Sequence, residues 1–82
     1  MKKYVIIETY DEKGNQRQEV IQAGENAFLA FNQAQALANS YLTNFEKRGL
    51  VPSVRFLDNG YVVSAMDNEE YKGVVIALVE LH

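Results

Sequence analysis

The last strand-like segment of this chain is apolar on both of its faces. From Val74 to Leu81, seven of eight residues are apolar, and only Glu80 interrupts them. Successive side chains of a strand point to opposite faces, so a segment of this kind needs cover on two sides. Yet the chain holds one stretch of helical periodicity, and one helix shields one side of a sheet. The organisation of the molecule turns on what shields the other side.

The helical stretch is "NAFLAFNQAQALANSYLTNFEKR". At about 100° per residue, Ala27, Ala30, Phe31, Ala34, Leu37, Ala38, Tyr41, Leu42 and Phe45 fall on one side, which predicts an amphipathic helix over residues 26–48. Asn26 or Gly24 can cap its start, and Lys47-Arg48-Gly49 is a stop signal. The alanines on the stripe let the helix approach a sheet closely. Such a helix is roughly 35 Å long and a six-residue strand roughly 20 Å, so the helix should cross the sheet obliquely or be wrapped by it.

The remaining segments read as strands. Residues 3–9, "KYVIIET", form a β-branched and aromatic strand, and Gly14-Asn15 supplies a turn. Residues 17–22, "RQEVIQ", form a polar partner suited to a sheet edge. In "SVRFLDNGYVVSAM", Asn59-Gly60 is the favoured pair for a two-residue type I′ turn. That turn sets Phe56 opposite Val63 and Val54 opposite Ala65 on the core side, with Leu57 against Val62 and Arg55 against Ser64 on the other. A polar "DNEEYK" loop leads to the final strand, residues 73–81. The order is ββαβββ, in a single α+β domain over residues 1–82, with one long helix packed on a five-stranded sheet.

The first and last strands are the most apolar, so they belong side by side at the centre, parallel to each other, with their hairpin partners at the edges. Over the whole chain this element order resembles the β-grasp architecture of ubiquitin-like domains. The resemblance implies a protein-binding role. Conjugation chemistry is not expected to carry over, since "ALVELH" holds no diglycine. The alternative is a fully antiparallel sheet wrapped around the helix, as in cystatin-like folds.

Carboxylates avoid an apolar core, so Glu8 and Glu80 serve as guides to the outer face. They place Tyr4, Ile6, Val74, Ile76 and Leu78 outward, beside Leu57 and Val62. Seven apolar residues in one contiguous patch predict an interface, because exposed patches of a few hundred Å² on small proteins are often functional. The simplest occupant is a second copy, since two such sheets packed face to face hide both patches. A chain of 82 residues has a thin stability margin, and with no cysteine it has no disulfide to widen it. The helix offers a second candidate surface: no residue from Asn26 to Phe45 is charged, and its outer side is rich in Asn and Gln.

Several chemistries are excluded or disfavoured. One histidine and no cysteine cannot assemble a zinc site, a triad built on cysteine is impossible and one built on histidine has only His82 to draw on, and the glycines are too far apart for a phosphate loop, so no metal or cofactor is expected. "DNEE" lacks the glycine and closing glutamate of a calcium loop. A pairing of Glu8 with Glu80 on the central strands is the one arrangement that invites acid–base work, the basis of a small-enzyme alternative. Single-stranded nucleic acid is a further alternative, with Tyr4 and Tyr10 as stacking platforms near Lys2, Lys3 and Arg55. The net charge of −3 and the scattered basic residues argue against it. No segment has the length of a secretory signal or membrane span, so a cytoplasmic protein with no membrane contact is expected. The expected function is a small non-catalytic protein-interaction domain, a homodimeric adaptor or modulator.

Overall fold

The computed structural model describes residues 2–12, 14–67 and 70–82. Its elements are β1 (Lys3–Glu12), β2 (Asn15–Gly24), α1 (Ala27–Lys47), β3 (Ser53–Leu57), β4 (Gly60–Asp67) and β5 (Glu70–Leu81). The strands make one sheet in the order β2-β1-β5-β4-β3. The first and last strands are neighbours and the hairpin partners are the edges, as apolarity predicts.

Every pairing is antiparallel, including that of β1 with β5, so the parallel central pair of the β-grasp arrangement is absent. The cause is chain direction. The helix carries the chain back to the end of the sheet where β2 began, so β3 repeats the direction of β2. Two antiparallel reversals then give β5 that same direction, opposite to β1.

The strands are also longer than their apolar runs. β1 and β2 have ten residues each and β5 has twelve. They span roughly 33–40 Å, while the 21-residue helix spans roughly 32 Å, so the expected length mismatch disappears. Backbone pairing does not need apolar side chains: Tyr10 to Glu12 and Asn15 to Arg17 continue the hairpin ladder to the Gly14 turn, where φ is 78°.

Helix α1 begins and ends where its capping residues dictate. The Asn26 side chain accepts a hydrogen bond from the Leu29 N–H at 3.0 Å. At the other end, the Leu50 N–H donates to the Phe45 carbonyl and the Gly49 N–H to the Glu46 carbonyl, both at 3.0 Å. With Gly49 at φ 79°, this is a Schellman closure. Ala30, Ala34, Ala38 and Phe45 are the buried stripe. They meet Ile6 of β1, Tyr61, Val63 and Ala65 of β4, and Val74 and Ile76 of β5. Ala27 and Phe31 of the predicted stripe remain exposed in the early turns of the helix. The helix lies over β1, β2, β5 and β4, and all five residues of β3 remain exposed.

The β3–β4 turn is one residue earlier than the Asn-Gly pair suggests. Leu57 pairs with Gly60, Phe56 with Tyr61 and Val54 with Val63, so Asp58 and Asn59 form the loop. Asn59 is drawn into the ladder with β5: its carbonyl accepts from the Leu78 N–H at 2.7 Å, and its side-chain amide donates to the Leu78 carbonyl at 3.3 Å. A Cβ on Gly60 would collide with the Ile76 carbonyl, so that glycine serves close strand approach, with no positive φ. The register moves by an even step, and the predicted faces of this hairpin are preserved.

Candidate functional site

Alternation along each strand assigns every side chain to the helix side or to the uncovered side. Tyr4, Ile6, Val74, Ile76 and Leu78 all belong to the cluster beneath α1, with Ile6, Val74 and Ile76 fully enclosed. The outward placement of these five is therefore corrected. Leu57 and Val62 keep their predicted place on the uncovered face, since they pair in register with Gly60 and Arg55, opposite in parity to Tyr61 and Val63.

The misplacement traces to the two carboxylate guides, both of which have the helix-side parity of their strands: Glu80 near the end of β5, and Glu8 within β1. The Glu8 side chain lies on the helix side and is only 2% exposed. It is satisfied there by two phenols: the Tyr10 hydroxyl donates to Glu8 Oε2 at 2.7 Å, and the Tyr41 hydroxyl, from the helix, donates to the same oxygen at 3.0 Å. The two hydroxyls touch each other, and the rings meet edge to face with centroids 5.5 Å apart. A buried carboxylate with charge-assisted donors is tolerated where an orphan would not be. Burial, and then the Glu8 carboxylate, push the Tyr10 hydroxyl up from an ordinary 10.0 to about 12. Glu80 lies at the sheet end, paired with Lys2 at 3.2 Å. Glu8 stands opposite Ile76 and Glu80 opposite Tyr4, so the two carboxylates do not meet.

The uncovered face is nevertheless apolar. On β1 it carries Val5 and Ile7, on β5 Val75, Ala77 and Val79, and on the β3–β4 hairpin Leu57 and Val62. The rows run straight across the sheet: Ile7 beside Ala77, and Val75 between Thr9 and Val62. Val5 and Val62 are buried yet stand outside the cluster beneath the helix, shielded by their neighbours in the sheet. At Gly73 the Tyr71 side chain folds over the site a Cβ would occupy. Val20 and Gln18 of β2, and Arg55 of β3, frame the strip. Swapping the parity of two strands replaced one apolar set by another, because β1 and β5 are apolar in both parities.

A cleft of about 530 Å³ opens on the helix side between the C-terminal half of α1 and the β1–β2 hairpin. Two of its cations are engaged by neighbouring groups. Lys72 binds Glu12 at 3.2 Å and Asp67 at 3.1 Å, and hydrogen bonds to Asp67 and Glu12 hold its ammonium above the ordinary lysine range. The Arg17 guanidinium lies 5.3 Å from the centre of the Tyr10 ring. Among the described residues the lining has no serine, threonine, cysteine or histidine to act as a nucleophile or imidazole base.

Tyr4 and Tyr10, the candidate stacking platforms for nucleic acid, face the helix and not the open side. Among the described residues no cluster of three or more His, Asp or Glu can hold a metal ion, and no helix is long and apolar enough to cross a membrane. Asn68 and Glu69 of the "DNEE" run lie outside the described residues. Compared with protein-family profiles, with curated proteins and with solved structures, the chain matches none.

Proposed function

We propose that this chain is a small non-catalytic interaction domain, a homodimeric adaptor or modulator whose uncovered sheet face docks on a second copy. The observation that carries this reading is the continuous row of apolar side chains on the side of the sheet opposite the helix. The shape agrees: at 46 × 22 × 18 Å the protein is two layers thick, one helix on one sheet. The apolar strip from Ile7 through Ala77 and Val75 to Val62 lies on the side without a second layer.

Val75 stands at the middle of that strip, so Val75→Asp is the decisive variant. Its solution mass should fall to half that of the unmodified protein, with the helical and strand circular dichroism retained. Val75→Thr keeps the β-branched shape and should retain more of the association. Equal masses for the unmodified protein and the folded Asp variant would dismiss the sheet face as the interface.

A further inference from the structure

Strand β3 is an edge with its own chemistry. Its residues and the one preceding Pro52 expose Val51 at 87% and Phe56 at 77%, with Val54 and Leu57 also open to solvent. Hydrogen bonding in an antiparallel sheet alternates, so each residue directs its N–H and C=O to one neighbour. The Leu78 N–H bonds to the Asn59 carbonyl, so Asn59 and residues 61, 63 and 65 of β4 serve β5, and residues 60, 62 and 64 serve β3. Their partners Leu57, Arg55 and Ser53 are thus engaged inward. Val54 and Phe56 direct their backbone groups outward, into solvent.

We propose that this edge pairs with the same edge of a second copy, antiparallel and centred on Val54. The two-fold register sets Val54 against the other copy's Val54, Ser53 against Arg55, Pro52 against Phe56, and Val51 against Leu57. Every apolar residue meets an apolar one, and each guanidinium faces a hydroxyl. Competing centres fail on charge or polarity: a two-fold at Arg55 stacks like charges, and one at Phe56 places Leu57 against Arg55 and Asp58 against Val54. Pro52, without an N–H, stops the ladder at its outer end and limits it to a short, defined stretch. On the helix side, a shallow groove lined by Val54, Phe56, Tyr61, Ala38, Gln35 and Asn39 receives the apposed Pro52 and Phe56 side chains. Tyr61 already holds Phe56 edge to face at 5.7 Å, and Phe31 lies 6.2 Å from Tyr61, so this side is an aromatic ridge ready for cover. The uncharged amides of α1 border the groove, where charged side chains would resist burial.

This contact does not use the uncovered sheet face. A two-fold normal to the sheet leaves both open faces on one side, as a continuous surface. Val54→Pro removes the outward N–H at the centre of the edge pair and no hydrogen bond within the monomer. It should halve the mass measured by sedimentation equilibrium while circular dichroism is unchanged: from tetramer to dimer if the sheet face also docks, from dimer to monomer if it does not. The chain has no cysteine. An equimolar mixture of Ser53→Cys and Arg55→Cys proteins, oxidised together, should therefore give the mixed disulfide well above the statistical half. Those residues form the close non-hydrogen-bonded pair, with Cα atoms about 4.5 Å apart. An unchanged mass for a folded Val54→Pro variant, or a statistical or absent mixed disulfide, would overturn the proposal.

Discussion

Glu8 decides more about this protein than its single position suggests. A carboxylate on a strand normally marks a solvent face, because an unpartnered ion in an apolar setting costs several kcal/mol. Here Tyr10, two residues along the same face, and Tyr41, on the helix stripe, supply both donors. The pattern Glu8-Thr9-Tyr10 was the one available hint, since residues two apart on a strand share a face. The arrangement has a pH signature. Tyr10 is raised to about 12 from 10.0, so the folded state holds its proton where the unfolded state releases it. The stabilisation is complete below pH 10, and it is lost as pH rises through about 12. In an alkaline absorbance titration, one phenolate should therefore form last, and Glu8→Gln should bring it down toward the others. A Tyr10 resonance that titrates near 10 in the unmodified protein would show that the carboxylate does not contact it.

At the scale of elements, periodicity and capping carried most of the information. The helix starts at the residue after Asn26 and ends within one residue of the Arg48-Gly49 stop, because both ends are set by local backbone chemistry. Strand ends were less legible, since the β1–β2 ladder continues through Tyr10, Asp11 and Arg17 on backbone bonds that no hydropathy pattern reports. Direction and parity were hidden for a different reason. β1 and β5 are apolar in both parities, so alternation could not say which set meets the helix, and a polar residue used as a guide outweighed it. The seven residues read as an interface were thus divided, two on the uncovered face and five in the core. The β3–β4 turn shows the same limit. Asn59-Gly60 reads as a type I′ loop, but tertiary pairing with Leu78 and the close approach of Ile76 recruit both residues to the sheet. Gly60→Ala should destabilise the protein by about 1–3 kcal/mol in urea unfolding, since its methyl meets backbone that cannot move aside cheaply. A neutral effect would show that the β4–β5 approach is looser than described.

For the molecule as a whole, the governing fact is an imbalance of layers. One helix lies over four of the five strands on one side, and the long ladder that gives the fold its regularity also gives it a broad second side. The apolar residues left there, Ile7, Val75, Ala77 and Val79 among them, are partly buried, and among the described residues no helix or further strand lies over them. A single chain of this size could not place a third layer without another helix or sheet, so a partner is the economical source of one. The β3 edge adds a second, geometrically independent route to association. The most direct test is sedimentation equilibrium of the unmodified protein over micromolar to millimolar concentration. Association through the sheet face predicts a mass that is a whole multiple of 9.3 kDa, at least two, and that falls by half in Val75→Asp. A constant 9.3 kDa across the full range would contradict the account.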